Sequence, residues 1–299
     1  MSKGKPLTLQ LKNSLHPLLQ TASLHEIYGP DDVLSCGTRA SPDGPYVVSG
    51  PFDYWHLNHV REGAGLPSTS AEPLPTDVFL WSSQPPPHPA VSKLGGLPYL
   101  PRTIAWPKRD GVVATFEAQL NFTDSRDFVP FAPNNVLLIF KFCDPDHSSW
   151  DRELYEFIWV DMDDDAPHYR PEDVPAGGLG DDAELFGVRV RSYDEPSLVG
   201  RIRSDDLPPV HIVHGTKIGG APSDRQSIDP PETSPDWRFL GQVTGTWPAN
   251  DVPHPVIGHP EPVSYGTPSF DRLTHGPGDG ITSLFLDGDG EVQIFFSCA

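Results

Sequence analysis

The sequence predicts an α+β protein, predominantly antiparallel β, made of two pseudo-repeated β-rich halves with few short helices and long Pro-rich loops. Three observations predict it. The chain of 299 residues holds 36 prolines, and each proline fixes φ and removes a backbone donor, which interrupts helices and central strands. Its apolar stretches are short, and some alternate with polar residues at the period of two that suits a half-buried strand. A pattern of glycines, prolines and a glutamine occurs twice in the same order.

From the N-terminus, Leu11, Leu15, Leu18 and Leu19 fall at helical spacing, and Pro17 keeps that helix short. Gly29 and Pro30 stop any continuation. Residues 46–48 and 76–81 predict short strands on either side of a polar loop over 61–75. Residues 84–89, Q-P-P-P-H-P, form a stiff connector, taken as the border between an N-terminal extension, 1–89, and a body, 90–299. In the body, the first repeat spans about 92–143, an acidic connecting region 144–210, and the second repeat 216–298. The connecting region contributes strands over 154–160 and 185–193, the second alternating Val188 and Val190 with Arg189 and Arg191. A long loop rich in Pro, His and Gly runs over 247–280. Residues 281–286 and 291–296 then predict a hairpin closed by Asp287-Gly288-Asp289-Gly290.

The repeat is explicit. Ser92-Lys93-Leu94-Gly95-Gly96-Leu97-Pro98 matches Thr216-Lys217-Ile218-Gly219-Gly220-Ala221-Pro222 at a constant offset of 124, which Pro107 and Pro231 keep. Phe116-Glu117-Ala118-Gln119-Leu120 matches Phe239-Leu240-Gly241-Gln242-Val243 at 123, and the segment from Ile139 to Cys143 resembles that from Ile294 to Cys298. The structural motif is therefore Lys93, Gly95, Gly96, Pro98 and Gln119, with Lys217, Gly219, Gly220, Pro222 and Gln242 as its second copy. Paired glycines permit positive φ. Phe and Gln three apart project to opposite faces of a regular strand. A carboxamide offers two donors and an acceptor, so Gln119 and Gln242 are each expected to bond backbone in or near their own Gly-Gly turn. The rival expectation is that both glutamines line a ligand site.

The run K-x-G-G-x-P-Y-x-P over 93–101, followed by Trp106-Pro107 and by F-x-x-Q-[LIV] from Phe116, resembles the YwqG-like family of bacterial proteins. The resemblance extends from about residue 90 to the C-terminus and is most specific over 92–120. It is weaker in the second copy, where Ser223-Asp224-Arg225-Gln226 replaces Tyr99-Leu100-Pro101-Arg102. It implies a compact, mostly antiparallel body with two related halves and no established reaction. Some family members are encoded near bacterial toxin systems, which implies a toxin-neutralising role.

A formal charge of −20 disfavours nucleic acid, which is gripped by clustered Lys and Arg, and fits a basic protein partner such as a toxin. Three scattered cysteines, Cys36, Cys143 and Cys298, make no disulfide framework. With no apolar run suited to a signal peptide or a bilayer span, a cytoplasmic protein without a membrane partner is expected. Cys143 and Cys298 end apolar strands and are expected as inert packing residues. The pairs His56/His59 and His211/His214 fall short of a zinc ligand set. Asp287 to Glu291 resembles the opening of a calcium loop without the later bidentate Glu, and the acidic run over 161–165 is expected as an exposed turn. Lys93 beside Gly95-Gly96 lacks the rest of a phosphate loop, and no G-x-S-x-G occurs. No catalytic residue, metal or cofactor is expected. The predicted function is protein binding, with immunity-type neutralisation of a toxin as its specific form. The alternative is a small-molecule binder or enzyme with a cleft between the repeats, where Glu117, His211 or His214 would converge.

Overall fold

A computed structural model describes residues 37–39, 46–48, 74–82, 85–86, 88–143, 152–162, 166–180, 184–194, 216–222, 236–244 and 280–298. Among them there is no α-helix, and the helical content is three single 3₁₀ turns at Thr123–Ser125, Arg152–Leu154 and Pro171–Asp173. The helix expected over 11–19 and the long loop over 247–279 lie outside the described residues.

Two small hairpins stand apart from the main sheet. One pairs β1 (Gly37–Arg39) with β2 (Tyr46–Val48). Later, β5 (Lys108–Arg109) meets β6 (Val112–Val113) across Asp110 and Gly111, both at positive φ. Ten strands form one antiparallel sheet. They are β3 (Leu74–Ser82), β4 (Lys93–Leu94), β7 (Thr115–Asn121), β8 (Val136–Lys141), β9 (Tyr155–Val160), β10 (Leu185–Asp194), β11 (Lys217–Gly219), β12 (Arg238–Thr244), β13 (Gly280–Leu286) and β14 (Val292–Cys298). Their order is β14-β13-β12-β11-β3-β10-β4-β7-β8-β9.

This order has internal symmetry. The first half supplies β4-β7-β8-β9 and the second β11-β12-β13-β14, with β3 and β10 between them. β3 precedes the first half in sequence yet pairs with β11 of the second, Val78 facing Lys217. β10 precedes the second half yet pairs with β4 of the first, Phe186 facing Lys93. One offset of 108 carries Val78 to Phe186 and Ser82 to Val190, and these are the residues that pair across β3·β10, Val78 with Val190 and Phe186 with Ser82. The two halves thus exchange their leading strands about a local two-fold axis near Leu80 and Val188. Because β3 lies mid-sheet, the expected border at residue 89 falls inside the sheet-forming part of the chain. Pro75 is tolerated in this central strand because β11 ends opposite Thr76, so no neighbour on that side needs the missing N–H.

The sheet carries two cores. The inner one draws on both halves, with Phe79, Leu94, Ala118, Leu120, Leu137, Ile139 and Tyr155 against Ile218, Leu240, Val243, Leu284 and Val292. On the opposite face of the first half, Phe116, Leu138 and Phe140 pack beneath Tyr99, Leu100 and Trp106 from the segment after β4. β8 is therefore apolar on both faces, with Leu137 and Ile139 on the inner core and Val136, Leu138 and Phe140 on the outer. At one corner the two ends of the sheet meet, where Arg152 Nε donates to Val292 O at 2.7 Å and its Nη1 to Tyr155 O at 2.9 Å.

Two expectations are corrected here. Phe116 and Gln119 do not project to opposite faces. A β-bulge between Phe116 and Ala118 inserts Glu117 and resets the alternation, so Phe116 faces Phe140 and Gln119 faces Leu138, both on the outer core. Cys143 is exposed rather than packed, because β8 ends two residues before it.

Candidate functional site

The two copies of the motif build the same local geometry. In each, the lysine opens a short strand that pairs with the glutamine of the next, Lys93 with Gln119 and Lys217 with Gln242. Gly95, Gly96, Gly219 and Gly220 all adopt positive φ, at 62°, 67°, 71° and 74°, a region that side chains with a Cβ rarely occupy. The second copy repeats the bulge, between Phe239 and Gly241.

The polar groups of the first copy are spent on holding this backbone. Gln119 is fully buried. Its Nε2 donates to Pro89 O at 2.9 Å and Val91 O at 2.6 Å, and its Oε1 accepts from Tyr99 N at 2.9 Å. One carboxamide therefore ties the chain entering the turn to the chain leaving it, just past buried Pro98. Ser92 Oγ accepts from Asn121 N at 2.9 Å. The Lys93 ammonium, 3% exposed, lies 2.5 Å from Glu184 Oε1 and also donates to Leu97 O. Burial pulls its pKa below the ordinary 10.5, opposed by the charge and hydrogen bond of Glu184. In the second copy Lys217 and Gln242 are fully buried and Pro222 is half-buried.

The copies differ in what closes the turn. By the offset of 108, Glu184 corresponds to Thr76, whose Oγ1 donates to Ile218 O at 3.1 Å and Gly219 O at 3.3 Å. The ion-pair partner of Lys93 is thus replaced by a hydroxyl that bonds the turn directly. Phe128, from the loop after β7, packs over Gly219, where an added Cβ would sit 2.3 Å from its ring.

Two further polar groups lie inside. Arg189 on β10, 6% exposed, donates through Nη1 to Asp77 Oδ2 at 2.7 Å, and Ser125 Oγ donates to the same oxygen at 2.7 Å. Arg189 also donates to Asn121 O. The strand alternation had placed Arg189 on a polar face, and the partner that lets it be buried lies 112 residues away in sequence. Glu117, the extra residue of the bulge, occupies the place where Leu240 joins the inner core in the second half. Burial, and then the charge of Glu117, raise the pKa of Tyr155.

Among the described residues, the other expected candidates are not gathered into a centre. Asp287 closes its hairpin, with Oδ1 accepting from Asp289 N at 3.0 Å and Glu291 N at 2.9 Å, and Oδ2 from Gln293 Nε2 at 2.7 Å. These bonds, that from Gln293 first, hold its pKa below the ordinary carboxylate value. Asp161 is exposed. His56, His59, His211, His214 and Cys36 lie outside the described residues. Among the described residues no group of three or more His, Cys, Asp or Glu is arranged to hold a metal ion, and no helix is long and apolar enough to cross a membrane.

A family model described as Domain of unknown function (DUF1963) matches residues 92–265, more than half of the chain. The chain belongs to this family. The matched segment begins at the first Gly-Gly turn and includes both copies of the lysine, glycine pair and glutamine. It leaves out β3, β13 and β14, which the observed sheet needs on either side of it. No curated protein matches the chain.

Proposed function

We propose that this protein works by binding another protein of basic surface, and that it is the YwqG-like kind of DUF1963 member, with neutralisation of a toxin as the specific form of that binding. The observation that carries the reading is how charge is distributed between core and surface. The formal charge is −20. Among the described residues Lys93, Lys217 and Arg189 are buried, against Asp77 and Glu117 among the acids, so this part of the core withdraws no excess of anions from the surface. A strongly acidic surface speeds encounter with a basic partner and repels acidic ones. The motif lysine and glutamine of the first copy, meanwhile, are occupied in bonding their own backbone.

The test is reconstitution with the purified product of a neighbouring gene. The expected result is a one-to-one complex whose association rate falls steeply as salt rises, together with loss of the partner's toxic activity. No complex, or a complex whose association rate ignores salt, refutes the reading.

A further inference from the structure

β3 and β4 flank β10, and the chain between them bridges a short gap. Ser82, the last residue of β3, and Lys93, the first of β4, face the same residue, Phe186, from its two sides. The connector over 83–92 therefore joins points two strand spacings apart, roughly 10 Å. Its middle is Gln84-Pro85-Pro86-Pro87-His88-Pro89. Such a run prefers the extended polyproline form, which over six residues reaches roughly 19 Å. Its far end is tied down, since Gln119 Nε2 donates to Pro89 O at 2.9 Å. The preferred reach of the connector thus overshoots its span, and a short hinge under such strain favours exchange of the element it carries with a second copy.

The element it carries is suited to exchange. The neighbours of β3 in the sheet are β10 and β11. Asp77 Oδ2 accepts from Ser125 Oγ and from Arg189 Nη1, both at 2.7 Å, and Thr76 Oγ1 donates to Ile218 O at 3.1 Å. All these partners lie beyond the connector in sequence, so β3 of another copy remakes the same bonds without a new contact. The chain already does this within itself, where each half takes its leading strand from the other.

We propose that β3 is exchanged between two copies of this chain, giving a swapped dimer in which β3 of each copy lies between β10 and β11 of the other. The partner is a second copy, and it completes the sheet of each protomer. The inference is independent of the protein-binding reading above. Nine residue pairs join β3 to β10, so β3 leaves its slot only when the sheet opens. The choice between the two forms is made during folding and is set by protein concentration.

The test uses a disulfide to report whose β3 fills the slot. Phe79 N donates to Thr216 O at 3.0 Å on the β11 side. Odd-numbered residues of β3 therefore stand opposite β10 without exchanging backbone bonds, at a Cα separation that suits a disulfide. Pro75 and Tyr193 are such a pair. The full chain carries Pro75→Cys and Tyr193→Cys, with serine at Cys36, Cys143 and Cys298. It is unfolded, refolded under reducing conditions at low and at high protein concentration, and then oxidised. The expected result is a monomer with its disulfide inside the chain at low concentration. At high concentration a covalent dimer linked from residue 75 to residue 193 forms and survives dilution. Changing Pro85, Pro86 and Pro87 together to alanine in the otherwise natural chain softens the hinge and should lower the dimer fraction several-fold by light scattering. The cysteine readout stands even if that variant does not fold. A chain that stays monomeric at every concentration, a dimer whose disulfides all lie within single chains, or a dimer fraction that the three alanines leave unchanged overturns the proposal.

Discussion

Replacing Gln119 by leucine isolates the contribution of one side chain to the first Gly-Gly turn. Leucine fills a similar volume and adds no charge, so the change leaves the Tyr99 N–H and the Val91 and Pro89 carbonyls without their partner. A buried polar group left unbonded costs about 1–3 kcal/mol. Pro89 is exposed and its carbonyl can turn to water, whereas Tyr99 N–H and Val91 C=O are buried and relax together, so the expected loss is roughly 2–5 kcal/mol. That is a large share of the 5–15 kcal/mol or so that holds a typical domain folded. Urea denaturation followed by tryptophan fluorescence measures it, with the urea dependence of ΔG checked for a change in the denatured state. Gln119→Glu keeps the acceptor for Tyr99 N but loses both donors and buries a charge, so it should be no better tolerated. If Gln119→Leu costs less than about 1 kcal/mol, the segment from Pro89 to Tyr99 is held by other contacts and the carboxamide is a passenger.

Lys93 gives a pH dependence of definite sign. Its folded pKa lies below the ordinary 10.5, so between that lowered value and 10.5 the unfolded chain binds more protons and stability rises with pH. Lys93→Met should remove that rise, and urea midpoints of the two proteins that run parallel across the range would refute the assignment. Gly219→Ala places a Cβ 2.3 Å from the Phe128 ring and 3.1 Å from Pro75 O at a φ of 71°. It should cost about 2–4 kcal/mol in thermal unfolding from strain and overpacking together. Gly96→Ala, which meets the flexible end of Glu184, should cost less, and equal losses at the two sites would contradict this account. Arg152→Ala removes both bonds at the corner where the ends of the sheet meet. It should cost about 1–3 kcal/mol and speed amide exchange in β14; unchanged exchange there would show that the corner holds without it.

The β-rich class was legible because its signals are local. Period-two alternation, proline spacing and the D-G-D-G turn each act over a few residues, and the strands over 76–81, 154–160 and 185–193 lie within a residue or two of β3, β9 and β10. The glutamine's partners were also foreseeable, since a buried carboxamide beside two positive-φ glycines has few other uses. What stayed hidden depends on distant partners. The bulge at Glu117 exists only against β8, so no count along β7 alone could place Phe116 and Gln119 on one face. Arg189 looked like a surface residue until Asp77 came beside it. Nothing near residues 74–82 marks them as mid-sheet, because both neighbours of β3 come from far along the chain.

The exchanged leading strands bear on how the protein is made. Val78 finds its neighbour at Lys217, 139 residues later, which at about 5–20 residues per second separates their emergence from the ribosome by roughly 7–30 s. Through that interval β3 has no finished slot, and a nascent chain cut short ahead of β11 would keep one side of it bare. Correct maturation of this polypeptide therefore depends on its carboxyl-terminal portion arriving, and on the early portion staying out of trouble while it waits.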